Sequence, residues 1–166
     1  SATQFHQFIG NLAWVRSDYG SWFKFINEMG DLTDKSESCL SSHEKFLRYL
    51  ETTRMTRSFK MILLQVFLEN KMERISIDEL SVRSYNLLNE NMTLSNDIPI
   101  EFRDQKTIKG NNAWKKYWLN NPINALIGGN FQGNESVYFQ VKDNYFICDF
   151  KVMNEDKNQL IEMARE

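Results

Sequence analysis

A chain of 166 residues, 42% hydrophobic and 13% aromatic, is long and apolar enough to bury a core, which excludes an intrinsically disordered segment and reads as one domain over 1–166. No apolar run approaches the roughly 20 residues of a membrane helix, and the polar start Ser1-Ala2-Thr3-Gln4 is unlike a secretory leader. The net charge of −2 excludes a globally basic protein, yet the charge is segregated: Arg48 to Lys60 carries +3, Arg103 to Lys116 carries +4, and the remainder carries −9.

Two short helices are expected over 4–29. Phe5, Phe8, Ile9 and Leu12 recur at helical spacing. Asp18-Tyr19-Gly20 turns the chain, and Ser21 is placed to cap a helix whose Trp22, Phe25, Ile26 and Met29 share a face before Gly30. Trp14, Tyr19, Trp22 and Phe23 form an aromatic cluster that suits core packing better than base stacking. The small polar residues of 31–42 read as a loop or linker. Ser41 and Glu44 then have capping-box spacing for a helix that turns Phe46, Leu47 and Leu50 inward and ends at Thr52-Thr53. The domain thus has an N-terminal helical part, 1–52, and a main part, 53–166.

The stretch from Thr52 to Leu68 organises the rest. It opens as a polar loop with Arg54, Arg57 and Lys60, and Thr56 or Ser58 can cap the helix that follows. Phe59, Ile62, Leu63, Val66 and Phe67 complete an amphipathic period, Leu64 and Leu68 widen it, and Asn70-Lys71 ends it. A central helix is predicted. Ser76-Ile77-Asp78-Glu79 is a second capping box, for a helix burying Leu80, Tyr85, Leu87 and Leu88. Residues 92–112 read as loop around Pro99, followed by a short helix, Ala113–Leu119, with Trp114, Tyr117 and Trp118 inward and Lys115 and Lys116 outward. Asn120-Asn121-Pro122 is expected to break it, with Asn121 capping a further turn that Gly128-Gly129 closes.

Strand signals come last. Val137, Phe139 and Val141 alternate with polar neighbours, and Tyr145 to Phe150 repeats the pattern with Phe146, Cys148 and Phe150 on one face. Lys142-Asp143-Asn144 makes the hairpin between them. A final helix, Glu155–Glu166, turns Leu160, Ile161 and Ala164 inward and stops without a cap, as expected for a piece of a longer protein. The fold class is mainly α (α+β), a helical domain with a C-terminal β-hairpin followed by a final helix.

Few residues suggest catalysis. There is no Gly-rich phosphate loop, and His6 and His43 have no zinc spacing with Cys39 or Cys148. Two cysteines in unlike contexts suit reduced thiols in a cytoplasmic protein. Asp149-Phe150-Lys151, with Asp143 as a further acid, resembles half of a Mg²⁺-dependent nuclease site; the plainer reading is the solvent face of an edge strand. No metal, cofactor or catalytic residue is assigned.

Anion binding is the stronger reading. Arg54, Arg57, Ser58 and Lys60 gather at the start of one helix, an end that favours phosphate. Lys106, Lys109, Lys115 and Lys116 can form a second rail, with Asn111, Asn112, Asn120 and Asn121 as neutral donors. The alternative is ordinary caps and solvated lysines.

The run Leu50-Glu51-Thr52-Thr53-Arg54-Met55-Thr56-Arg57-Ser58-Phe59-Lys60-Met61-Ile62-Leu63-Leu64 resembles a block in the C-terminal region of bacterial DEAD/DEAH-box helicases of superfamily 2, of the restriction- or defence-associated type. Trp118 to Gly129 looks like a second block, and Phe139 to Phe146 with the final helix is similar to the segment that closes such chains. The motor motifs are absent. The resemblance therefore implies an accessory module of an ATP-dependent DNA helicase, with DNA and the motor domain of the same chain as partners, and no enzyme in this segment. Lys60 to Leu68 is similar, more faintly, to sulfur-binding domains that recognise phosphorothioate DNA; the apolar cup of those domains has no assigned residues here. A protein-docking module without nucleic-acid contact and a Mg²⁺-dependent nuclease are the alternatives.

Overall fold

The computed structural model describes residues 13–54, 57–103, 105, 107–128 and 138–165. In chain order its elements are α1 (Ala13–Tyr19), α2 (Trp22–Glu28), α3 (Asp34–Thr52), α4 (Phe59–Glu69), β1 (Ile75–Ser76), α5 (Ile77–Glu90), α6 (Asn112–Trp118), a π-turn (Leu119–Ile123), α7 (Asn124–Leu126), β2 (Phe139–Lys142), β3 (Tyr145–Cys148) and α8 (Asn154–Arg165). Helix dominates, and a small antiparallel sheet precedes the last helix, as the sequence predicts. The chain divides into two compact units: residues up to Arg54 together with those from Val152 onward, and Met55–Lys151.

In the first unit, Ser21 caps α2 as expected, its hydroxyl accepting from the Lys24 N–H at 3.2 Å. The Trp22 N–H donates to both carboxylate oxygens of Glu51, at 3.1 and 3.0 Å, and Arg16 Nε donates to the same carboxylate at 3.0 Å. A side chain late in α3 thus caps the start of α2. Phe25 is the hub of the aromatic cluster, 5.7, 5.0 and 5.5 Å from the rings of Trp14, Tyr19 and Trp22. Met29 is 52% exposed and Phe23 is buried, so the apolar face is rotated from the expected one. The expected first helix up to Leu12 lies outside the described residues.

The predicted loop over 31–42 is a correction. Helix α3 starts at Asp34, capped by Thr33, whose hydroxyl accepts from the Ser36 N–H at 3.3 Å. Asp34 and Glu37 complement the positive end of the helix. Ser36, Cys39, Leu40 and His43 are buried at i, i+3, i+4 and i+7, so the small residues are an interface rather than a linker. Helix α8 packs on that face: Gln159 Nε2 donates to Ser36 Oγ at 3.1 Å and His43 Nε2 lies 3.5 Å from Asp156. Burial, followed by the Asp156 charge, pushes the Cys39 thiol up to about 11. The expected cap at Ser41 and Glu44 falls beside a kink at His43 (φ −127°, ψ 18°), and Glu44 instead pairs with Lys24 at 2.7 Å. Leu160, Ile161 and Met163 face inward on α8; Met163 takes the place expected of Ala164, which is half-buried.

Helix α4 is the centre of the second unit. Phe59, Ile62, Leu63, Leu64, Val66, Phe67 and Leu68 are all buried, so its apolar surface runs most of the way round. It ends on two consecutive left-handed residues, Lys71 (φ 56°) and Met72 (φ 54°), and the Met72 N–H returns to the Phe67 carbonyl at 3.0 Å. Ser76 then caps α5, accepting from the Glu79 N–H at 3.2 Å. Ile77, Leu80, Tyr85 and Leu88 are buried and Leu87 only half so.

The hairpin turns through Asp143 (φ 50°) and Asn144 (φ 65°), both left-handed, which matches the twist of the flanking strands. Phe139 pairs with Cys148, and Val141 with Phe146. Val137, expected in this strand, lies outside the described residues. Phe150 falls after β3 rather than in it. Unexpectedly, Ile75 and Ser76 add a third strand beside β3, giving the order β1-β3-β2. Two residues are too few to show alternation in a sequence.

Candidate nucleic-acid interface

The loop expected over 92–112 carries two 3₁₀ turns, Leu94–Asp97 and Ile100–Phe102, anchored by buried Ile98, Phe102 and Ile108. The first turn brings Asp97 to the start of α4. Ser58 does not cap that helix through its own side chain. Its hydroxyl and its N–H both donate to Asp97 Oδ2, at 2.6 and 3.1 Å. The cap is therefore a carboxylate from 39 residues away. The Ser58 hydroxyl and then its N–H hold the Asp97 carboxyl below its ordinary value of 3.8; burial opposes them, and the Arg57 charge adds a lesser lowering.

A carboxyl depressed in the folded state contributes stability above its unfolded pKa and loses it as pH falls through the folded value. Asp97→Asn is thus expected to flatten the acid side of the stability profile, below pH 3.8. Urea unfolding at neutral and acid pH checks this. An unchanged acid slope in the variant would show that the Ser58–Asp97 contact contributes nothing.

Helix α6 is capped by Asn111, whose Oδ1 accepts from the Trp114 N–H at 3.0 Å. Trp114 and Trp118 are fully buried and Tyr117 half-buried. Asn120-Asn121-Pro122 does not break the helix. The chain runs on through the π-turn with Pro122 inside it. A π-turn bonds each N–H to the carbonyl five residues back, and proline has no N–H to give Tyr117. The Asn121 side-chain amide replaces it, donating to the Tyr117 carbonyl at 2.7 Å. Asn121 therefore stabilises the irregular turn, where it was expected to cap a new one.

This turn faces the start of α4 across a cleft of about 430 Å³. Arg57 and Lys60 line it from one element, Asn120, Asn121, Pro122 and Ala125 from the other, and Phe59 and Tyr117 supply aromatic surface. The Arg57 guanidinium lies 5.8 Å from the centroid of the Phe59 ring. No carboxylate lines this cleft among the described residues. Two stretches more than fifty positions apart in the sequence thus meet.

The second rail is distributed differently. Lys109 and Lys115 line another cleft, of about 400 Å³, together with Asp78, Glu79 and Arg83. Lys115 Nζ donates to Asp78 at 2.7 Å, and this bond, with one from Asn144, holds the Asp78 carboxyl below its ordinary range. Lys115 was expected to point outward; its pair with Asp78 is exposed, and its charge is balanced there. Lys116 is exposed. Along α6 the 100° step per residue puts Lys115 and Tyr117 on opposite flanks, which is why the two clefts divide them. Arg54 is exposed in the first unit. Thr56 and Lys106 lie outside the described residues.

The nuclease alternative gains no assembled site. Asp143 and Asp149 sit at opposite ends of β3, Asp149 accepts a hydrogen bond from Gln140, and no metal-holding group of acids, His or Cys occurs among the described residues. Cys39 and Cys148 are free thiols. Among the described residues no helix is long and apolar enough to cross a membrane. No family model, curated protein or solved structure matches the chain.

Proposed function

We propose that the unit spanning Met55–Lys151 is a nucleic-acid-binding or substrate-positioning module, of the kind the resemblance to helicase C-terminal regions implies. One observation carries the reading: Arg57 and Lys60 share one cleft with the carboxamides of Asn120 and Asn121. Guanidinium and ammonium groups attract phosphate, and neutral amides supply donors that need no counter-charge. The neighbouring cleft, where Asp78 and Glu79 face Lys109 and Lys115, lacks that bias. Asp97 sets a limit. It already takes the Ser58 N–H and hydroxyl, so phosphate is held by side chains, not by the helix end. Within a larger chain, such a module would hold DNA for an ATP-dependent motor.

The test is binding of short duplex and single-stranded DNA at low and moderate salt. Arg57→Ala/Lys60→Ala is expected to weaken binding by about 10–100-fold at low salt and to reduce the salt slope by about 2. No binding by the parent chain at low salt, or a double variant that binds as tightly with the same slope, would remove the proposal. Arg57 is exposed and Lys60 half-buried, so the fold should survive both changes.

A further inference from the structure

The same cleft holds more than phosphate-binding groups. Tyr117 lines it with a ring that is already fixed. Trp114 stacks on Tyr117 at 5.8 Å and 17°, while Phe59 meets it edge-on at 6.0 Å and 88°. An aromatic surface held in this way loses little freedom when a ligand is laid against it. Asn120 is exposed on the π-turn and offers one acceptor and two donors in one plane. Asn121 spends a donor on the Tyr117 carbonyl; within a carboxamide only the nitrogen donates, so its Oδ1 is an acceptor at the same turn. Cations, a fixed aromatic surface and planar hydrogen-bonding edges therefore share one concave space of about 430 Å³. That is the size of a small-ligand cleft.

A duplex can use the cations and amide donors through its phosphates, but not the aromatic wall. Its bases are stacked inside the helix and offer groove edges, while a concave cleft reaches a base only when that base leaves the stack. An unpaired nucleotide uses everything present: phosphate toward Arg57 and Lys60, base against the aromatic wall, base edge toward Asn120. We infer that the cleft between the start of α4 and the π-turn accepts an unpaired nucleotide of a single strand, with Asn120 contacting the base edge. This rests on the nucleic-acid reading above and narrows it to a ligand.

The experiment uses the full chain and fluorescent oligonucleotides of one sequence, single-stranded or closed into a hairpin duplex, at one low salt concentration. The single strand is expected to bind at least about fivefold tighter, the lower end of what one base–aromatic contact contributes. Asn120→Ala should weaken single-strand binding severalfold more than duplex binding and leave the salt slope unchanged, because a neutral amide releases no counterion. Arg57→Ala/Lys60→Ala should weaken both forms and lower the slope. Tyr117→Ala tests the wall directly but disturbs the aromatic core, so exposed Asn120 is the decisive position. Equal affinity for the two forms, or an Asn120→Ala chain that binds single strands like the parent, overturns this inference and leaves phosphate binding standing. Absence of binding to either form overturns both.

Discussion

Trp114→Ala is expected to destabilise the second unit by about 3–5 kcal/mol, the range for emptying a buried large aromatic site. Trp114 is fully buried, and its ring centroid lies 5.3, 5.2, 5.8 and 5.1 Å from those of Tyr85, Phe102, Tyr117 and Trp118. Its indole N–H donates to the Ser81 carbonyl at 2.9 Å, tying α6 to α5. Alanine leaves four rings facing a cavity they cannot fill without abandoning their rotamers. Trp114→Phe keeps part of the ring and loses the hydrogen bond, so it should cost less. Urea unfolding followed by hydrogen exchange on α5 and α6 reads both changes. A loss under about 1 kcal/mol for the alanine variant would mean that this cluster is not the unit's core. Because Trp114 also stacks on Tyr117, the variant should bind nucleic acid poorly even where it remains folded.

Phe67→Ala is the second large effect, again about 3–5 kcal/mol. Phe67 is 1% exposed, and Phe139 and Phe146 meet its ring edge-on at 5.8 and 5.1 Å. It therefore joins the central helix to the hairpin. Phe67 lies two helical turns beyond Lys60, outside the lining of the cleft. Phe67→Leu, which keeps more of the volume, should unfold at lower denaturant yet bind DNA normally while folded. Arg57→Ala/Lys60→Ala should do the reverse. That pair of results would make the core duty of α4 and the charge at its start separable by mutation. Matching losses of stability and binding in both variants would show that they are one property.

Where contacts are local, the residues are legible. Ser21, Ser76 and the Asp143-Asn144 turn act within three residues of themselves, and their side-chain chemistry alone foretells caps and a hairpin. The burial of α4 follows equally from its periodicity. Misreadings cluster where composition conflicts with packing. Ser36 and Cys39 look like linker residues because they are small, and α8 comes close to them for the same reason. Pro122 looks like a helix breaker, yet Asn121 replaces its missing donor and lets a π-turn continue.

By itself, the sequence determined a mainly helical chain, the position of its central helix, the hairpin and which stretches carry cations. Only the tertiary structure decided what each cation faces. Asp97 reaches Ser58 from 39 residues away and Asp78 neutralises Lys115 across 37. Arg57 and Lys60 meet Asn120 and Asn121, whereas Lys109 and Lys115 share their cleft with acids. The reason is range: caps and amphipathic periods depend on neighbours a turn apart, while charge pairing depends on which elements pack together. A count of charges along a chain holds no record of that packing.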